Sequence, residues 1–361
     1  PVFALVAVAL HAATLVLAQG ALRSGLLTRL LAWASRFPRG RGRATLLLLM
    51  LGAAGLSWFV PSSALVALVA GGLRPVRRAL PGLDVRRAFV LGPFVAAVIG
   101  ALATPVASPV AAVVWGALGR AGHRMTFLQW TTVMAPVVLV LVLLAWGHLC
   151  LRFVPARTRV VGWGEPGHAL TRAELAVAIV GVATVAAWCL PYLHGWPSVL
   201  VAVASTTILL LLGCPPLAAL RGRWWASSGL VVLALAVGEG LWRTGVVGWV
   251  AARIDGGPAL LVAVALGTWG LANLVPRAFV AGLAAPLALA VGDVAWLGPV
   301  LAVACGLAVV APRSARAGVV ARGAGLVRAR DVAEVGGVVA GLGLLLALAV
   351  LPWWCTWIGV R

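Results

Sequence analysis

The chain has 361 residues, 63% hydrophobic and 10% charged, with a formal net charge of +20 and a mean hydropathy of +1.09. No soluble domain has that balance, and many apolar runs approach the roughly 20 residues that cross about 30 Å of hydrocarbon. All 28 basic residues are arginines, set in short loops between those runs; that pattern marks topology and excludes a nucleic-acid-binding role. The fold class expected is an all-α polytopic membrane protein.

Residues 1–19 read as one span, and residues 21–37 as an amphipathic surface helix, with Leu22, Leu26, Leu27, Leu30, Leu31 and Trp33 set among arginines. Residues 44–73 follow, long enough to cross but interrupted at Val60-Pro61-Ser62-Ser63. Six arginines precede this segment and five follow it. If both flanks are cytoplasmic the segment cannot cross, so it enters, turns near the bilayer centre and returns. Non-helical backbone at that depth is tolerated only where it is buried in protein or lines a cavity. Residues 88–118 form an apolar run broken at Thr104-Pro105-Val106-Ala107-Ser108-Pro109, where two prolines should unwind a helix. Residues 127–153 cross again, and the polar stretch 156–171 is a cytoplasmic connector.

Spans follow at about 172–190, 198–213 and 224–243, then a second surface helix in 244–257. Residues 258–291 repeat the broken hairpin, interrupted at Val275-Pro276-Arg277-Ala278. Residues 295–322 repeat the broken helix, interrupted at Ala311-Pro312-Arg313-Ser314-Ala315-Arg316, and 332–356 is the last span. Threaded this way, cytoplasmic loops hold 20 arginines and external ones five, with Arg277, Arg313 and Arg316 at membrane depth. The expectation is a multi-pass protein of a bacterial plasma membrane with its C-terminus outside.

The order span, surface helix, broken hairpin, broken helix, span occurs twice, and the first hairpin opens to the cytoplasm, the second to the outside. That is an inverted-topology repeat with two re-entrant hairpins and two broken helices: residues 1–155 form the first unit and 172–361 the second. Paired interruptions of this kind point to a transporter site at the midplane. The second unit has two extra spans in front, and their counterparts are expected upstream of Pro1.

At the four interruptions the sequence resembles the divalent anion:sodium symporter family, which carries a Ser-Asn-Thr triplet at each hairpin tip and a Thr-Pro-Pro-Asn-like loop in each broken helix. SWFVPSSALVAL (57–68) is similar to the first hairpin, and GALATPVASPVAAVVWG (100–116) with MTFLQW (125–130) to the first broken helix. NLVPRAFVAGLAAPLALA (273–290) is similar to the second hairpin and VVAPRSARAGVVARGAGLVRARD (309–331) to the second broken helix. The resemblance implies an elevator-type homodimer carrying a dicarboxylate, sulfate or similar anion, with sodium bound at each triplet and loop. Both tips lack the asparagine. The first half keeps hydroxyls; the second keeps no side-chain oxygen at its triplet and gains Arg277 and Arg316, so sodium coupling should be weakened or lost. No resident cofactor is expected, and the coupling ion is Na+ or H+.

These comparisons name the candidate residues. Ser62, Ser63, Arg277 and Arg316 are expected at the substrate, and Ser62, Ser63, Thr104 and Ser108 at a first-half cation. Pro61, Pro105, Pro109, Pro276, Ala278, Pro312 and Arg313 are motif positions that shape the breaks. The serines could equally cap exposed helix ends. Arg277 either presents a permanent charge to an anion, or neutralises the helix ends of the broken segments, or pairs with an acid such as Glu239 or Asp293. Glu239, an acid within a span, is a proton site or an ion pair. The five cysteines stand singly, without metal-ligand spacing. No nucleophile–base pair or paired carboxylates are present, which sets enzymes aside. The rival to transport is a scaffold that keeps the fold without carrying a substrate.

Overall fold

The computed structural model of the chain describes residues 2–26, 29, 41–60, 62, 65, 66, 69, 80–159, 169–216, 225–254, 257–292, 295–311 and 327–359. Pro61, Ser63, Asp293, Pro312, Arg313 and Arg316 lie outside the described residues, as does most of the surface helix expected at 21–37. The described helices are α1 (Val2–Ser24), α2 (Gly42–Leu56), α3 (Leu83–Gly100), α4 (Pro109–Ala121), α5 (Phe127–Phe153), α6 (Arg172–Cys189) and α7 (Pro191–His194). They continue with α8 (Ser198–Leu211), α9 (Trp225–Arg243), α10 (Val246–Ala251), α11 (Pro258–Leu274), α12 (Arg277–Gly292), α13 (Leu297–Gly306) and α14 (Ala329–Trp357). The architecture is that of an all-α polytopic membrane protein.

Helix length separates two kinds of element. Among the described residues four helices are long and apolar enough to cross a membrane: Leu5–Ser24, Phe127–Phe153, Arg172–Cys189 and Ala329–Trp357. By contrast α2, α4, α11, α12 and α13 have 10–17 residues, which at about 1.5 Å per residue reach roughly 15–25 Å and fall short of the hydrocarbon thickness. These five adjoin the interruptions in the sequence; α8, expected as a span over 198–213, is also short at 14 residues although nothing interrupts it.

Where they stop follows from proline chemistry. A proline lacks the N–H that would serve the carbonyl four residues back, and its ring clashes with that carbonyl. Four residues before Pro61 stands Ser57, and four before Pro105 stands Ala101; α2 ends at Leu56 and α3 at Gly100. The first break therefore begins upstream of the expected Val60–Ser63, and Ser62 is already helical. Val275, directly before Pro276, is extended at φ −120° and ψ 156°, as a residue preceding proline prefers. A second boundary also moves. Residues 21–24 continue α1 to Ser24 and do not start a surface helix, and the chain leaves α1 at Gly25 with a φ of 88°.

The breaks sit inside the core. Every residue of α13 is buried, as is α3 from Ala88 to Gly100, and these two pack with α2, α4, α5, α12 and α14. Gly100 and Gly282 permit the closest helix approaches: a Cβ on either would strike the backbone of Ala54 or Ala234. Beside this body stand α1, α6 and α8, joined by a smaller cluster of Leu10, Ala13, Trp188, Val201 and Ala202. Their outer faces expose Ile179 and Leu211, surfaces suited to lipid.

Polar contacts gather at two opposite ends. At one, Arg29 pairs with Glu174 at 3.1 Å, Arg152 with Glu334 at 3.0 Å and Arg87 with Asp331 at 3.7 Å. Arg43 there donates from Nε to the Val154 carbonyl at 2.9 Å, across the C-terminus of α5. At the other, Glu239 receives Arg243 at 2.9 Å and Arg120 at 3.2 Å. Each contact joins ends that the arginine count assigns to the same side.

Candidate functional site

A helix broken in hydrocarbon leaves backbone donors and acceptors that must be satisfied within the protein. The partners each break has found define the site.

The first break runs from Ala101 to Ser108. The Thr104 hydroxyl donates to the Trp58 carbonyl at 2.6 Å, fastening the break to the turn at the first hairpin tip. Trp130 of α5 donates its indole N–H to the Leu102 carbonyl at 3.1 Å. The Val106 carbonyl faces α1, where His11 Nδ1 lies at 3.2 Å and the Thr14 hydroxyl at 3.4 Å. Ser108 caps α4, accepting from the Ala111 N–H at 3.1 Å, with Pro109 in the first helical position. The Ser57 hydroxyl, fully buried at the hairpin tip, has no partner.

The second break follows Gly306, and here the adjoining hairpin supplies the partners itself. The oxygen of Asn273, in the last turn of α11, accepts from the N–H groups of Val310 at 3.0 Å and Ala311 at 3.2 Å. Its amide nitrogen donates back to the Trp269 carbonyl at 2.9 Å. Arg277, the first residue of α12, donates from Nη1 to the Gly306 carbonyl at 2.6 Å. Leu307 and Val309 lie against Gly343 and Gly336 of α14.

The two breaks meet, because a Cβ on Gly306 would fall into the Leu102 side chain. The arrangement is therefore one continuous set: first tip, first break, Leu102 on Gly306, then Arg277 and Asn273 of the second hairpin. It brings one guanidinium and several free backbone carbonyl lone pairs to the depth where short helices end.

Residues 2–310 match the sequence profile of the citrate transporter family. The chain belongs to that family. Its fold is similar to that of the YdaH transporter of Alcanivorax borkumensis, whose crystal structure shows an unusual topology; the TM-score is 0.60 at 14% identity, over 97% of this chain and 85% of that one. No curated protein matches the chain in sequence. The protein is thus a membrane transport protein of secondary-carrier type.

Several of the residues expected at the transporter's site do converge on the breaks: Thr104, Pro105 and Ser108 on the first, Pro276 and Arg277 on the second. Ala278 is buried in α12 behind Arg277, and Ser62 is half-buried beyond the first tip. Glu239 stands apart from them, paired with two arginines near the end of α9. Sequence reasoning passed over Asn273 and Ser57. A signal for Asn273 existed, since it is a lone amide in an apolar helix (Pro258–Leu274) one turn before the tip proline. Ser57 carried none, because the break was assigned to the proline and not to the residue four positions upstream.

Proposed function

We propose that the protein is a secondary active transporter of a small carboxylate-bearing anion, citrate or a related dicarboxylate, working by alternating access. The observation that carries this is the guanidinium of Arg277 beside the meeting point of the two breaks. A charge at that depth costs at least about 2.5 to 3.5 kcal/mol, so it is held for a partner or a wet cavity. Among the described residues no carboxylate pairs with Arg277. Only one of its nitrogens is hydrogen-bonded among the described residues, and its other N–H groups are the ones proposed to receive an anion.

The finer reading follows the resemblance to divalent anion:sodium symporters. The body of broken helices moves against the lateral helices as an elevator, within a homodimer, and sodium coupling is weakened or lost. The hydroxyls of Thr104, Ser57 and Ser62 are the first-half candidates for a cation or for the substrate. The arginine-rich face is cytoplasmic, which puts the end of α14 outside a bacterial plasma membrane. A rival reading, a scaffold that carries nothing, draws on one observation: Asn273 and Arg277 both spend polar atoms on the second break's own backbone.

Counterflow of radiolabelled citrate in proteoliposomes separates the two. A transporter shows saturable counterflow that competing dicarboxylates inhibit. Absence of counterflow with citrate, other di- and tricarboxylates and sulfate would sink the transport reading.

A further inference from the structure

We infer that Arg277 is a tethered cation: its guanidinium occupies the C-terminal end of α13, a position that in a discontinuous transporter helix takes a mobile cation, so the second half needs no added ion. The inference rests on the transport reading and specifies how its second half is charged.

Among the described residues the backbone leaves a vacancy at the end of α13, and Arg277 fills it. The N–H of Leu307 goes to Val303, that of Ala308 to Cys305 and that of Val309 to Leu307. Those of Val310 and Ala311 go to Asn273. No backbone donor from 307 to 311 reaches the Gly306 carbonyl, which instead accepts from Arg277 at 2.6 Å. This carbonyl ends a ten-residue buried helix, where the aligned peptide dipoles amount to about half a negative charge. Half-helix C-termini and unwound carbonyls of this kind coordinate the coupling ions of transporters.

The placement of Arg277 on its own helix points the same way. It opens α12, the end at which a helix dipole disfavours positive charge. Its favourable electrostatic partner is the end of α13, not the helix that bears it. A guanidinium keeps its proton under all working conditions, so the charge is present in every state of the cycle. Among the described residues the first break has no such group: its side-chain partners are Thr104, Trp130, His11 and Thr14.

The test is citrate counterflow with N-methylglucamine as the only cation, compared with sodium and with guanidinium. The wild type should run equally in all three. In Arg277→Ala, loss of a charge-assisted hydrogen bond should lower counterflow about 10- to 100-fold in N-methylglucamine. Sodium or guanidinium should restore most of it. Wild-type rates in Arg277→Ala without added cation would overturn the inference, as would loss that neither cation restores.

Thermal unfolding in detergent reads the same site without transport. By mass action, sodium should raise the midpoint of Arg277→Ala more than that of the wild type; an equal effect on both would overturn the inference. A wild type that shows no counterflow but keeps this difference would defeat the transport reading and leave the tethered cation standing.

Discussion

The two helix breaks answer one physical demand in different ways. In the first, the freed carbonyls are taken by neighbours distant in sequence: Trp130 on α5 serves Leu102, and His11 and Thr14 on α1 approach Val106. Among the described residues the hairpin contributes only its Trp58 carbonyl, which accepts from Thr104. In the second, the hairpin does most of the work, with Asn273 and Arg277 two residues either side of Val275 in its turn. The first break is thus wired to the surrounding helices and carries hydroxyls, while the second is bolted to its own hairpin and carries the charge. Two helix breaks in one chain need not share their chemistry, because any donor of suitable reach satisfies a buried carbonyl.

The largest effect that would break this comparison lies in the backbone approaches. Gly100→Leu drives a side chain into Ala54 of the first hairpin, and Gly282→Leu into Ala234 of α9. Backbone cannot yield as a side chain does, and overpacking costs about 1–3 kcal/mol or more. Both variants should lose a monodisperse folded peak in detergent or unfold well below the wild type. A near-native midpoint for either would mean that its half is not closely packed.

Next comes the contrast between the latches. Asn273→Ala removes the shared acceptor of two N–H groups in the second break, and should cost about 2–6 kcal/mol, at 1–3 for each buried donor that loses it. Thr104→Val removes one hydroxyl from the first break and should cost about 1 kcal/mol. The difference in unfolding midpoint is the measurement; equal shifts would dissolve the distinction between a bolted and a wired break.

The smallest effect is expected at Glu239→Gln. Its arginine partners are 44% and 68% exposed, and such pairs contribute about 0–1 kcal/mol. Counterflow in this variant should match the wild type at every pH tested. A collapse of transport would return Glu239 to the list of proton sites.

Much of this was legible along the chain. The prolines announce the interruptions, although α2 and α3 end five residues ahead of Pro61 and Pro105, because the lost N–H and the clash fall on the carbonyl four residues before the proline. The depth of Arg277 could be read from its flanks. A role in neutralising a helix end was also readable, but which helix end was not: the structure gives the Gly306 carbonyl of α13. Glu239 was ambiguous for a related reason: Arg120 lies far off in sequence and meets it only when α4 packs on α9.

The sequence by itself determined the membrane class, the two arginine-sorted faces and the recurrence of broken elements. These rest on local properties: hydrophobicity summed over a window, the covalent geometry of proline, and loop charge. Only the tertiary structure decided that the breaks meet at Leu102 and Gly306, that Asn273 holds the second of them, and that Arg277 ends on α13. Those pairings are choices among many donors and acceptors equally able to satisfy one another, and only packing brings particular ones within about 3 Å.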